Sequence, residues 1–183
     1  MKCGIRSVII LLVAALTLAT CQSSKRATVA QRADYESTAE HAKFVSHLPK
    51  QRKMIVEEAE TWLGTPYRYA AKEKGVGTDC SGLVMQVYLT ALDCPIPRNS
   101  AKQAEFCRPL KEAEIQAGDL VFFATGKDPT RVSHVGILID NQSFIHASSS
   151  KGVVISKLAN PWYARRLLMY GRIPALDDDT ALR

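Results

Sequence analysis

Three side chains suited to nucleophilic chemistry occur in a fixed order along the chain. Cys80 lies in Thr78-Asp-Cys-Ser-Gly-Leu-Val-Met-Gln-Val-Tyr-Leu, where Leu83, Val84, Val87, Tyr88, Ala91 and Leu92 recur with the period of a helix. Thr78 or Asp79 is placed to cap that helix. In a first helical turn, unpaired N–H groups and the positive end of the helix dipole favour a thiolate. Taken alone, this leaves Cys80 as either a nucleophile or a small buried residue. His134 opens a strand-like segment after Thr130-Arg-Val-Ser, and His146 ends the neighbouring one, so a hairpin brings both rings to one end of a sheet. There His134 is placed to take the thiol proton and return it to a leaving amine, while His146 orients the imidazole through its second nitrogen. The same side chains are zinc ligand types, but they lack the close pairs that mark zinc sites. No metal and no cofactor is expected.

The elements that must position these groups are helices first and strands after. Residues 53–63 put Ile55, Ala59, Trp62 and Leu63 on one helical face, with Gly64 as a stop. The loop Thr65-Pro-Tyr-Arg-Tyr and the turn Gly75-Val-Gly lead into the Cys80 helix, which Pro95 and Pro97 end. A short helix is expected from Asn99 or Ser100. Beyond it, Asp119-Leu-Val-Phe-Phe-Ala, His134-Val-Gly-Ile-Leu-Ile, Ser143-Phe-Ile-His-Ala, Gly152-Val-Val-Ile-Ser and Leu167-Leu-Met-Tyr-Gly-Arg-Ile read as strands. Helices followed by an antiparallel meander describe an α+β domain.

At 183 residues, 46% apolar and 23% charged, the chain has the composition of one globular domain. Lys2 and Arg6 precede an apolar run from Val8 to Leu18 that is too short to span a bilayer, so residues 1–20 read as a secretory signal. Leu18-Ala19-Thr20-Cys21 resembles the lipobox of bacterial lipoproteins, which makes Cys21 the expected lipid attachment site and membrane anchor. Ordinary secretion after cleavage near Ala19 is the alternative. Residues 21–50 read as a tether in which His41 and His47 are solvated, 51–175 as the folded domain, and 176–183, with Asp177-Asp-Asp, as a loose tail. Without Lys2 and Arg6 the net charge falls from +6 to +4, and no basic run of the kind that binds nucleic acid occurs. Of the five cysteines, Cys80, Cys94 and Cys107 lie beyond Cys21. A Cys94–Cys107 disulfide and a pair of free thiols both remain open.

Six blocks carry a resemblance: Leu63-Gly-Thr-Pro-Tyr-Arg-Tyr, Thr78-Asp-Cys-Ser-Gly-Leu-Val, Pro97-Arg-Asn-Ser, Ala117-Gly-Asp-Leu-Val-Phe-Phe, Ser133-His-Val-Gly-Ile and Phe144-Ile-His-Ala-Ser. In content and order they resemble the motifs of the NlpC family of bacterial cell-wall peptidases, over residues 53–173. The resemblance implies a papain-like fold, with N-terminal helices packed on a small, barrel-like antiparallel meander. It implies Cys80 as nucleophile, His134 as general base and His146 as the third, polar member. Tyr67 is implied beside the thiol, helping the Cys80 N–H hold an oxyanion, and Asp79 and Ser81 at the amine end of a short wall peptide. Ala70-Ala71 stands where relatives often carry Gly-Gly, which implies a stiffer or differently turned loop along the substrate groove.

The implied substrate is a peptidoglycan stem peptide, cut at γ-D-glutamyl–diaminopimelate or at the D-alanyl–diaminopimelate cross-link. The implied setting is the cell envelope, with the protein a lipid-anchored monomer. The tether is too short for the SH3-like domain that closes one end of the groove in some relatives, so a groove open to cross-linked wall is expected. A non-catalytic wall-binding module and a papain-like acyltransferase are the alternatives, the first opposed by the intact Cys80, His134 and His146.

Overall fold

Helix α1, Ala39–Ser46, and helix α2, Lys50–Glu60, meet at a turn around Pro49, whose fixed φ suits the position before a helix. The structure, a computed structural model, describes residues 39–180, with side chains as far as Asp177. The signal segment, Cys21 and most of the expected tether lie outside the described residues. In α2, Arg52, Ile55, Val56 and Ala59 line one buried face, and Gly64, at φ 82°, turns the chain out of it. A two-residue hairpin follows, β1 at Lys72–Glu73 and β2 at Gly77–Thr78. Helix α3, Cys80–Leu92, buries Leu83, Val84, Val87, Tyr88 and Ala91 between α2 and the sheet. Helix α4, Ser100–Phe106, is capped by Asn99, whose side chain accepts from the Lys102 N–H.

The sheet contains β3 (Arg108–Leu110), β4 (Leu120–Phe123), β5 (His134–Leu138), β6 (Ser143–Ser148), β7 (Gly152–Lys157) and β8 (Leu167–Arg172). Their order is β3-β8-β4-β5-β6-β7, with every neighbouring pair antiparallel. Strands β4 to β7 form the expected meander. The last strand departs from it: after the short helix α5, Pro161–Ala164, β8 returns to the free side of β4. Both faces of the sheet are covered. Leu120 and Phe122 point into the helical core, while Val121, Phe123, Leu138, Phe144 and Tyr170 form a second cluster that Tyr163 of α5 helps to close. This two-sided burial explains why β4 reads as a continuous apolar run.

Four expectations are corrected or decided. His41 is not solvated: its Nε2 lies 2.6 Å from Glu60 Oε1, and Val45 of the same helix is buried, so α1 packs on α2. His47 is exposed, as expected. Residue 176 does not begin a loose tail, because Pro174–Thr180 forms a 3-10 turn that puts Leu176 in the core at 1% exposure, and Asp177 accepts two hydrogen bonds from Arg108. Cys94 and Cys107 are free thiols, Cys107 buried and Cys94 partly so.

Candidate active site

The first turn of α3 is fixed from two sides. Asp79, in extended conformation at the N-cap, accepts from the Gly82 N–H at 2.7 Å. A Cβ at Gly82 would come within 2.4 Å of the Ala71 carbonyl, so glycine lets the preceding loop lie directly against the helix start. That loop is joined to β2 by Arg68 N–H to Thr78 O and Thr78 N–H to Pro66 O, each 3.0 Å, which sets Tyr67 beside Cys80. Cys80 is the first helical residue, where backbone N–H groups have no intrahelical acceptor.

The sheet brings the two histidines to the same place. His134 Nε2 lies 2.9 Å from His146 Nδ1, with the rings edge to face at 85°. His146, 1% exposed, spends its other nitrogen on two hydroxyls: Nε2 is 3.0 Å from Ser156 Oγ on β7 and 3.0 Å from the Tyr163 hydroxyl on α5. Gly136 makes room for this arrangement, since a Cβ there would press on Phe144 at 2.6 Å and on His146 at 3.3 Å. The ring nitrogens of the pair face one another, the geometry of a proton relay.

Cys80 and Tyr67 stand where two pockets meet. One, of about 350 Å³, is lined by Tyr69, Asp79, Ser81 and Arg98 together with these two. The other, of about 230 Å³, is lined by His134, His146, Trp162 and Tyr163 as well as the shared pair. Cys80, His134 and His146 are therefore brought together, with Tyr67, Asp79 and Ser81 around them. Burial, and then the Asp79 charge, push the Cys80 thiol up to about 11, while burial pushes His134 down to about 4. His146 is held well below its usual range by burial and by its neighbour His134. Burial thus works against the charged form of both groups, and at Cys80 it outweighs the thiolate preference expected from the helix start. Burial, then the nearby Cys80 and Asp79 charges, raise Tyr67.

Sequence reasoning assigned no role to Arg98, Ser156 or Tyr163. Arg98 donates to both Asp79 oxygens, at 2.9 and 2.7 Å, and to Ser81 Oγ at 2.9 Å and Ala71 O at 3.2 Å. With the Gly82 and Ala70 N–H groups and the Ser81 hydroxyl, five donors converge on the Asp79 carboxylate, one more than its roughly four lone-pair sites. Burial alone would raise the Asp79 pKa, but the hydrogen bonds from Arg98 and Gly82 hold it below the usual carboxylate range. A substrate amine would have to share oxygens already taken. Arg98 sits within the Pro97-Arg-Asn-Ser block, and Ser156 directly follows the apolar run Val153-Val-Ile of its strand, which are the signals that could have marked them.

Residues 64–172 match the NlpC/P60 family profile. The chain is 41% identical over 117 residues to an Escherichia coli protein named probable endopeptidase NlpC, covering 61% of this chain and 75% of that one. It is 34% identical over 115 residues to the Escherichia coli protein named murein DD-endopeptidase MepS/murein LD-carboxypeptidase, covering 63% of this chain and 59% of that one. The crystal structure of an NlpC/P60 family protein from Bacillus cereus aligns with a TM-score of 0.61 at 30% identity, covering 66% of this chain and 39% of that chain.

Proposed function

This chain belongs to the NlpC/P60 family, and we propose that it is a cysteine endopeptidase hydrolysing amide bonds in the stem peptides of peptidoglycan. The observation that carries the reading is the 2.9 Å His134–His146 contact opening on the same pocket as Cys80. With His134 Nε2 engaged, Nδ1 is left for the thiol. Cys80 Sγ attacks the scissile carbonyl as His134 takes its proton. The oxyanion forms against the N–H groups of the first turn and the Tyr67 hydroxyl. His134, now an imidazolium steadied by His146, gives the proton to the departing nitrogen, and water then resolves the thioester with His134 again as base.

The proton donor fixes the polarity of the cleft. The leaving amine must lie on the His134 side, in the pocket walled by Trp162 and Tyr163, and the acyl part on the side of Asp79, Ser81 and Arg98. The scissile bond is γ-D-glutamyl–diaminopimelate or the D-alanyl–diaminopimelate cross-link; the name of the MepS relative supports the second. The same proposal includes a single working chain, anchored through lipid on Cys21 at a membrane of the bacterial envelope.

Incubating wild type and Cys80→Ala with purified peptidoglycan, and following the products by mass spectrometry, tests the reading. Hydrolytic fragments from wild type alone support it and identify the bond. No cleavage by either protein, with the wall retained, would indicate a binding module, and amine adducts in place of acids would indicate an acyltransferase.

A further inference from the structure

The hydrogen-bond chain does not end at His146, and what lies beyond it determines whether His134 can act as a base. Resting on the role proposed for Cys80 and His134, we infer that Ser156 and Tyr163 are positioning residues that hold His146 in the one tautomer compatible with proton abstraction. A neutral His134 that accepts the thiol proton at Nδ1 must carry its own proton on Nε2. That N–H then donates to His146 Nδ1 across the 2.9 Å contact, which requires His146 to keep Nδ1 bare and its proton on Nε2. His146 Nε2 is buried beside the Ser156 and Tyr163 hydroxyls, each at 3.0 Å and each able to donate or accept; the inferred arrangement is the one in which both accept from an Nε2–H. In the opposite tautomer His146 would donate to His134 Nε2, forcing the His134 proton onto Nδ1 and blocking the base.

Tyr163 is itself held in place. Its ring meets those of Phe123, Phe144 and His146 with centroids 5.3, 5.0 and 5.2 Å apart, and Trp162 packs edge-on against it. Tyr163→Phe therefore preserves the packing and removes only the hydroxyl. Two acceptors serve one N–H, so their loss is non-additive. Ser156→Ala or Tyr163→Phe alone leaves an acceptor and lowers kcat about twofold to threefold. The double variant strands a buried N–H and lowers kcat roughly thirtyfold with KM unchanged.

The test pairs two measurements that need no substrate with one that does. Ring ¹⁵N NMR of the folded protein should show His146 protonated at Nε2 and bare at Nδ1, with this preference lost in the double variant. The rate at which iodoacetamide alkylates Cys80 between pH 6 and 9 should fall in the double variant and recover when Ser156→Thr accompanies Tyr163→Phe, because threonine restores one hydroxyl. A Nδ1-protonated His146 in wild type overturns the inference. So does a double variant with wild-type alkylation and kcat, or one whose loss threonine does not rescue. If tautomer and alkylation behave as stated while peptidoglycan stays intact, the positioning role stands and the proposed substrate falls.

Discussion

Replacing Arg98 by methionine separates the electrostatic from the steric part of the acyl-side pocket. Methionine keeps the unbranched stem and removes the guanidinium that donates to both Asp79 oxygens. Breaking a fully buried ion pair costs about 3–5 kcal/mol, because the orphaned charge stays desolvated. Asp79 is close to that limit with its side chain 10% exposed, but the Arg98 side chain is 38% exposed, so water already screens the pair. About 2 kcal/mol is the expected cost, or a Tm lower by about 6 °C for a domain of this size. Adding Asp79→Asn removes the stranded charge and keeps an oxygen for the Gly82 N–H, so part of the loss should return. The double-mutant cycle should show a coupling of about 1.5 kcal/mol.

Chemistry should follow the same charge. Asp79 raises the Cys80 pKa, and without Arg98 its field is uncompensated. About 1 kcal/mol of added thiolate penalty slows alkylation of Cys80 at pH 8 roughly fivefold. Thermal melts and alkylation rates on the four proteins of the cycle measure both effects. Additivity within about 0.5 kcal/mol, or faster alkylation in Arg98→Met, would refute the electrostatic reasoning.

Three further outcomes follow from local geometry. Ala70 holds φ 61° while its N–H donates to Asp79, so Ala70→Gly should relieve about 1 kcal/mol of left-handed strain and, after the added unfolded-state entropy, raise stability by about 0.5 kcal/mol; a loss above about 1 kcal/mol in urea denaturation contradicts this. Gly152 has φ 74°, and a Cβ there would lie 2.5 Å from the Thr65 carbonyl, so Gly152→Ala should cost about 3 kcal/mol and disturb the loop bearing Tyr67; a melt within 2 °C of wild type contradicts this. His134 is neutral when folded down to about pH 4, whereas in the unfolded chain it charges below about 6.5, so stability falls as pH drops through that window. Urea denaturation of wild type and His134→Asn at pH 7 and 4.5 should show wild type losing about 2 kcal/mol more; equal losses contradict the sign.

Much of the framework is legible in the sequence because it is set locally. The Cys80 helix shows its period and its Asp79 cap, and the five strand segments are found within one or two residues at each end. Strand β3 escapes notice because Pro109 argues against a strand, yet β3 lies at the sheet edge, where a missing N–H is tolerated. The return of β8 to β4 is invisible in any window, since it depends on which sheet edge the closing helix exposes. Composition misleads at Leu176, which precedes three acids yet fills the core, and at His41, whose partner Glu60 stands 19 residues away.

The site divides along the same line. Cys80, His134 and His146 are marked by residue type, and the first two by the elements they begin, whereas His146, expected to end its strand, lies inside β6. Arg98, Ser156 and Tyr163 matter through contacts across loops and strands. Hydrogen bonds between side chains far apart in sequence leave no period behind, so these residues emerge only once the fold is known.

The nucleophile itself is the most direct point of test. Wild-type protein mixed with a cross-linked muropeptide, quenched in acid during turnover and digested, should yield the peptide containing Cys80 carrying the mass of the acyl fragment as a thioester, with no such adduct and no cleavage for Cys80→Ala. Cleavage that proceeds while the Cys80 peptide stays unmodified, and that persists in Cys80→Ala, would contradict the account.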